Sequence, residues 1–115
     1  MSNVEVIQAK WKVIRPTGEI DFTNVGGFEA ALDDAVRQSP TGFIIDLCHV
    51  DYFDSSGIRA ILYAYARVRN AGGKIAVTAC TRTSRTLIEA TNLDRAPGLA
   101  ICDTLEAAEE ALSAD

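Results

Sequence analysis

The chain has 115 residues and carries sixteen acidic against eleven basic side chains, for a net charge of -5. Its length predicts a single domain, and its 48% hydrophobic and 23% charged residues are typical of a folded globular protein rather than a disordered or fibrous one. The acidic balance argues against nucleic acid or anionic lipid as the main ligand, because both are bound by clustered Lys and Arg.

The N-terminal half combines short β-like stretches with one amphipathic helix. Residues 4–7 and 11–15 predict a β-hairpin, and the segment 17–19 that follows predicts a break in the chain. Residues 43–48 are nearly all apolar, which is typical of a strand buried on both faces of a parallel sheet. Between these strands a helix capped by Thr23 or Asn24 is predicted from apolar residues at helical spacing, namely Phe28, Leu32, Ala35 and Val36.

The C-terminal half repeats the alternation of strand and helix. Residues 74–79 and 99–102 predict two strands, and residues 83–91 between them predict a helix with Leu87 and Ile88 facing inward. The last helix is predicted to be capped by Asp103 or Thr104. The helix before residue 70 has an inward stripe made of Ile58, Ile61, Leu62, Tyr65 and Val68.

The order β-β-α-β-α-β-α-β-α predicts a single α/β domain over residues 1–115, with its core at about 4–112. We expect a mixed, mostly parallel sheet with about four helices and an antiparallel N-terminal edge strand.

The chain carries no signal for a membrane or for export. No apolar stretch approaches the roughly 20 residues that a membrane span needs. The first five residues lack the basic region and apolar core of a secretory signal. A cytoplasmic protein is therefore expected.

The three cysteines, Cys48, Cys80 and Cys102, are widely spaced and stand in apolar stretches. We expect buried free thiols, as is usual in a reducing compartment. The alternative is a bridge between Cys80 and Cys102, whose strands could be neighbours, and it requires Cα atoms within about 7 Å. A Cys/His zinc site is excluded because His49 is the single histidine, and no metal or cofactor is predicted.

The segment from His49 to Gly57 carries most of the chemical information. It follows a buried strand and opens a helix, at the end of a parallel sheet where ligands and partners usually bind. Ser55 falls where the N-cap of that helix would be, and the helix dipole there favours a phosphate group. On spacing alone a simpler interpretation is preferred, in which Asp54, Ser55 or Ser56 only caps the helix and Gly57 only allows close packing.

Several sequence blocks together resemble the STAS domain family, and most closely its stand-alone bacterial anti-sigma factor antagonists. The resemblance covers the chain from about Val4 to Leu112, with the blocks in the family's order and spacing. The blocks are Gly18-Glu19-Ile20-Asp21, Phe43-Ile44-Ile45-Asp46-Leu47, Val50-Asp51-Tyr52-Phe53-Asp54-Ser55-Ser56-Gly57-Ile58, Ala71-Gly72-Gly73-Lys74, Leu93-Asp94 and Asp103-Thr104-Leu105-Glu106-Ala107-Ala108.

This resemblance implies a non-enzymatic partner-switching role. In the family, the unphosphorylated antagonist binds an anti-sigma factor of the histidine-kinase-like ATPase class, which frees a sigma factor and so regulates transcription indirectly. The same anti-sigma factor is a serine kinase that phosphorylates the antagonist, and a metal-dependent serine phosphatase reverses this.

By the family pattern the phosphoacceptor is Ser55. Arg59 replaces a residue that is small in many members, and it either alters partner choice or is ordinary variation on a solvated face. The partner-binding residues implied are Asp21, Asp54, Ser55, Ser56, Gly57 and Arg59.

Enzyme readings of the same segment are disfavoured. Ser55 as a nucleophile with His49 as its base lacks the Gly-x-Ser-x-Gly elbow of serine hydrolases. Asp51 and Asp54 as Mg²⁺ ligands are less usual than the same residues as a cap and a surface charge.

The resemblance also leaves other protein-binding roles open. STAS domains occur as tails of anion transporters, in stress-sensing complexes and as partners in lipid-transport systems. This chain begins almost directly at its first strand, which favours a free-standing protein. Trp11, Tyr63, Arg67 and Arg69 are possible interface anchors, although a core-capping tryptophan and solvated arginines are the more usual reading.

Overall fold

The computed structural model describes residues 3–114 as strands and helices that alternate along the chain. The elements are β1 (Val4–Gln8), β2 (Lys12–Pro16), β3 (Gly18–Ile20), α1 (Val25–Gln38), β4 (Gly42–Asp46), β5 (Val50–Phe53), α2 (Ser55–Asn70), β6 (Lys74–Thr78), α3 (Arg82–Ala90), a 3₁₀ turn (Leu93–Arg95), β7 (Leu99–Cys102) and α4 (Leu105–Ser113). No helix in this range is long and apolar enough to cross a bilayer.

Five strands form the main sheet in the order β1-β2-β4-β6-β7. β1 is antiparallel to β2, and the remaining pairs are parallel. This arrangement confirms the predicted mixed sheet with an antiparallel N-terminal edge, and the described residues contain the expected four α-helices.

The core lies on both faces of this sheet. β4 is buried at all five positions, because α1 and α2 cover one face and α4 covers the other. Phe43 and Ile45 therefore contact the larger cluster, while Ile44 between them contacts Ala108 and Leu112 of α4. A strand enclosed in this way needs no polar alternation, which explains its continuous apolar sequence.

A second, two-stranded sheet was not predicted. β3 occupies the segment predicted as a break, and it pairs in parallel with β5 rather than with the main sheet. Ile20 stands opposite Phe53, and both side chains are buried. Strands of three and four residues are too short for a two-residue periodicity to be recognised in the sequence. In addition, glycine is a residue type typical of turns, and Gly18 does adopt a positive φ of +74° at the start of β3.

The expectation of three free thiols was wrong, because Cys48 and Cys80 form a disulfide with their Cα atoms 4.8 Å apart. β4 and β6 pair in register with Asp46 opposite Thr78, so the residues two positions beyond each strand are neighbours. Cys102 also stands opposite Thr78, on the other side of β6. It is therefore two residues out of register with Cys80, and it carries a free thiol.

Candidate functional site

The carboxyl ends of β3 and β5 bring two acidic residues to one edge of the molecule. Because Ile20 and Phe53 are paired in parallel strands, Asp21 and Asp54 follow them on the same side. The backbone N–H of Asp54 donates to the carbonyl of Ile20 at 3.2 Å, and the N–H of Phe22 donates to the Asp54 carboxylate at 3.2 Å. These two bonds connect the segment before α1 to the start of α2.

Asp21 is engaged in the turn that leads into α1. Its carboxylate accepts hydrogen bonds from the N–H of Thr23 at 2.9 Å and from the Thr23 hydroxyl. Asn24 does not cap the helix with its side chain; its amide oxygen accepts from the Asp21 N–H at 2.9 Å, and its NH₂ donates to the Glu19 carbonyl at 2.8 Å. The turn therefore holds Asp21 in place beside α2.

Asp54 is the N-cap of α2, as one of the sequence alternatives proposed. Its carboxylate accepts hydrogen bonds from the N–H of Ser56 at 2.9 Å and from the Ser56 hydroxyl. The hydroxyl hydrogen bond lowers the pKa of Asp54 from its usual value; partial desolvation opposes this, and backbone donors reinforce it. Asp54 is therefore ionised at neutral pH, and its charge is fixed beside Ser55.

Ser55 is the first residue of α2 and is exposed to solvent. Its hydroxyl makes no hydrogen bond to another residue in the range 3–114. The placement of Ser55 at the N-cap was therefore wrong by one residue, because Asp54 takes that position and its carboxylate receives the Ser56 N–H. The Ser55 side chain remains available to other molecules.

Ser56 and Gly57 lie progressively further inside the protein. Ser56 is half-buried and bound to Asp54, and Gly57 is buried. A Cβ added to Gly57 would approach the Cζ of Phe53 to 2.6 Å, which is closer than atoms can pack. Phe53 in turn packs edge-on against Phe28, with ring centroids 6.2 Å apart. Gly57 therefore shapes the site by letting α2 begin directly over this aromatic pair.

Arg59 lies one turn after Ser55 and is exposed on α2. Further along this helix, Leu62 and Tyr63 are 42% and 66% exposed. With Ala66, these three residues line a shallow depression of about 340 Å³. Leu62 was predicted to face inward, but Ala60 and Ala64 occupy the buried stripe together with Ile58, Ile61 and Val68.

The turn before α1 carries an exposed aromatic residue that the sequence pattern did not indicate. Phe22 is 79% exposed, although its backbone N–H is bonded to Asp54. Its sequence signal is weak: it stands between Asp21 and Thr23, outside the apolar stripe of α1. The edge around Ser55 thus combines two carboxylates with a large apolar side chain in solvent.

Other residues singled out in the sequence lie apart from this arrangement. The His49 imidazole is 3.9 Å from the Asp46 carboxylate, and within residues 3–114 it makes no hydrogen bond with Ser55. Trp11 packs against the α4 side of the core, and Arg67 pairs with Asp33 of α1 at 2.7 Å. In the described part of the chain, no group of three or more His, Cys, Asp or Glu residues is placed to hold a metal ion.

Comparison with known proteins places this geometry in context. The family model of the STAS domain matches residues 3–108. An anti-sigma factor antagonist from Mycobacterium paratuberculosis is similar, with a TM-score of 0.86, 27% identity, and coverage of 96% of this chain and 93% of that one.

Two other solved structures share the fold at lower identity. An anti-sigma-factor antagonist (STAS) domain protein from Planctomyces limnophilus has a TM-score of 0.80 and 21% identity, and 98% of each chain is covered. The Bacillus cell fate determinant SpoIIAA in its phosphorylated form has a TM-score of 0.71 and 23% identity, with 93% of this chain and 96% of that chain covered.

Proposed function

The chain belongs to the STAS domain family, and from that premise we propose that it is an anti-sigma factor antagonist switched off by phosphorylation of Ser55. The proposed partner is an anti-sigma factor of the histidine-kinase-like ATPase class that acts as the serine kinase. A metal-dependent serine phosphatase reverses the modification. The domain then acts in the cytoplasm as a binding module and kinase substrate, without a cofactor, and affects transcription only through its partner.

The observation that carries this proposal is the exposed Ser55 hydroxyl at the first position of α2, next to an ionised Asp54. A kinase needs a hydroxyl that it can reach, and Ser55 has no competing hydrogen bond to residues 3–114. The 27% identity to the mycobacterial anti-sigma factor antagonist over nearly the full length of both chains supports the same role.

Electrostatics explains how phosphorylation would end binding. A phosphate adds about -1.5 to -2 charge at neutral pH. The Ser56 N–H, which could otherwise receive it at the helix N-terminus, is already bonded to Asp54. The new charge therefore lies beside the Asp54 carboxylate, with Asp21 on the neighbouring strand end. An interface that buries this group without a counter-ion loses about 3 kcal/mol or more, or about 100-fold in affinity.

The remaining residues of the proposed surface have different tasks. Asp21, Asp54 and Arg59 are at least partly accessible and would contact the partner. Ser56 holds the Asp54 carboxylate, and buried Gly57 keeps α2 close to β5. Arg59 is the residue most suited to select among partners, since it adds a cation to an otherwise acidic edge.

Binding measurements with charge-mimicking variants test the proposal. The bait proteins are Ser55→Ala, Ser55→Asp and Ser113→Asp, the last being a matched change at an exposed serine in the final turn of α4. In extracts of the native host, Ser55→Ala and Ser113→Asp should retain a histidine-kinase-like ATPase, identified by mass spectrometry. Ser55→Asp should bind that purified ATPase about 100-fold more weakly.

A direct phosphorylation assay completes the test. The purified ATPase and ATP should phosphorylate the unaltered chain, with phosphate mapped to Ser55, and the Ser55→Ala variant should remain unmodified. Equal binding by Ser55→Asp and Ser55→Ala would contradict the proposal. Retention of a lipid or anion transporter subunit in place of an ATPase would instead favour a role in a transport complex.

A further inference from the structure

We propose that the Cys48–Cys80 disulfide is a reversible redox modification site that controls how firmly the Ser55 edge is attached to the main sheet. Its co-reactant is a low-molecular-weight thiol or disulfide of the glutathione class. The proposal rests on the proposed function only in treating the Ser55 edge as a binding surface, whereas the redox chemistry and its effect on the fold are independent of that function.

The disulfide lies where the chain passes from the main sheet towards Ser55. Cys48 lies in the short connection between β4 and β5, and β5 leads directly to Asp54 and Ser55. Cys80 lies between β6 and α3. The bond therefore links the chain just beyond the ends of the adjacent strands β4 and β6, at the point where β4 leads into β5.

β5 has no strand partner in the main sheet among the described residues. β5 pairs only with β3, and these two strands form a sheet separate from the other five within the described residues. Near the disulfide, the N–H of Leu47 donates to the Thr78 carbonyl at 2.8 Å, and the N–H of Cys48 donates to Asp46 at 3.0 Å. Val50 and Phe53 are also buried in the main core, and β5 packs against α3. Besides the backbone, the S–S bond is the covalent cross-link in this region, and breaking it leaves non-covalent contacts to hold β5.

The two cysteines of the disulfide differ in their exposure to solvent. Cys80 is exposed and Cys48 is half-buried, so a dissolved thiol can approach the Cys80 sulfur. The free thiol of Cys102 lies on the neighbouring strand, but partial burial raises its pKa despite the proximity of Arg85. Because the thiolate is the attacking form, Cys102 is a poor internal nucleophile, and exchange with a reagent from solution is favoured.

Reduction of the Cys48–Cys80 disulfide by thiol–disulfide exchange takes two steps. One small-molecule thiolate attacks the Cys80 sulfur, the protein S–S bond breaks, and Cys48 leaves as a thiolate that takes up a proton. A second small-molecule thiolate then attacks the mixed disulfide and releases Cys80, which is also protonated. Overall the two cysteines gain two electrons and two protons, and two small thiols are oxidised to one disulfide.

Thiol chemistry on the full chain provides the first test. Protein purified without reductant should show one alkylatable thiol, at Cys102, and a linked peptide pair containing Cys48 and Cys80. Equilibration with mixtures of reduced and oxidised glutathione should open and re-form this link. Three free thiols, a Cys80–Cys102 link, or a bond that excess reduced glutathione leaves intact would each overturn the proposal.

Structural consequences are measured on the same samples. Reduction should lower the Tm by roughly 10 °C, since the bond closes a loop of 32 residues. Amide exchange in residues 50–57 should accelerate about threefold or more, while α4 remains unchanged. Equal exchange of residues 50–57 in both forms would overturn the attachment role.

Variants separate this proposal from the proposed function. In Cys102→Ser, reduction should still lower the Tm and accelerate amide hydrogen exchange in residues 50–57, and we call these two changes the redox response. The double variant Cys48→Ser/Cys80→Ser should lack this response, and its amide hydrogen exchange should match that of the reduced unaltered protein. A redox response together with unchanged binding by Ser55→Asp would refute only the antagonist mechanism. A missing redox response together with weakened binding by Ser55→Asp would refute only the redox site.

Discussion

Two polar clusters lie near strand ends in this protein, and they differ in what surrounds them. In the buried cluster, Asp46 is 2% exposed and accepts hydrogen bonds from the Thr78 hydroxyl at 2.6 Å and from the Arg15 guanidinium at 2.8 Å. In the exposed edge, formed by Asp21, Asp54 and Ser55, the carboxylates are also hydrogen-bonded but face solvent.

Burial decides whether a carboxylate serves the fold alone, as at Asp46, or is also accessible to other molecules, as at Asp54. Desolvation raises the pKa of Asp46, but the donors from Thr78, Cys48 and Arg15 together outweigh it and leave the pKa lowered. The carboxylate oxygens of the buried cluster are thus used inside the fold. On the exposed edge Asp54 caps α2, whereas the Ser55 hydroxyl makes no hydrogen bond to any of the described residues 3–114, so this edge is suited to binding.

The largest expected effect is the loss of the buried carboxylate. Asp46→Ala leaves the Arg15 charge without its partner and should lower the free energy of unfolding by about 3 kcal/mol. Urea denaturation measures this loss. Asp34→Ala, which removes a solvent-exposed pair with Arg37, serves as the control and should change stability by about 0.5 kcal/mol or less. If both variants lost a similar free energy of unfolding, the buried Asp46 carboxylate would not contribute more to stability than a solvent-exposed one.

A smaller effect is expected where the exposed edge meets the core. Gly57→Ala forces a methyl group against the Phe53 ring and should cost about 1–3 kcal/mol. Gly26→Ala is the matched control, because its Cβ would meet open space in α1, and it should stabilise the protein by about 0.5–1 kcal/mol. Thermal unfolding of both variants checks the sign. If Gly57→Ala unfolded at the same temperature as the unaltered chain, α2 would not be packed closely over Phe53.

The cap of α2 is expected to contribute less again. Asp54→Ala removes the acceptor for the Ser56 and Phe22 N–H groups and should lower the free energy of unfolding by about 1 kcal/mol. Asp51→Ala, at an exposed position of β5, should stay within about 0.5 kcal/mol of the unaltered chain. Chemical denaturation measures the free energy of unfolding of both variants. Equal values would mean that Asp54 does not stabilise the fold as the N-cap of α2.

The smallest effect concerns acid. The folded pKa of Asp54 lies below the usual value of 3.8, so its contribution to stability is complete above that value and is lost as the pH falls through the lowered pKa. Between pH 7 and pH 3, Asp54→Asn should therefore lose less stability than the unaltered chain. Denaturation midpoints at the two pH values measure this, and an identical loss in both proteins would contradict the hydrogen-bond assignment.

Much of the fold is encoded in local patterns. The apolar sequence at 43–47 predicts a strand enclosed by helices, and the spacing of Phe28, Leu32 and Val36 predicts the buried face of α1, as observed. The start of α2 was predicted to within one residue from the change in composition there, with Ser55 placed at the N-cap position that Asp54 occupies. These features depend on neighbours within a few residues, so the sequence records them directly.

Other features depended on pairing between distant segments. The alternation of strands and helices and the mixed sheet could be derived from the residue pattern alone. The pairing of β3 with β5, the bond from Cys48 to Cys80 rather than to Cys102, and the solvent exposure of Leu62 and Phe22 became known only from the folded arrangement. The reason is that periodicity within an element shows which face is apolar, whereas strand register and the cover over each face arise from packing between elements far apart in the chain.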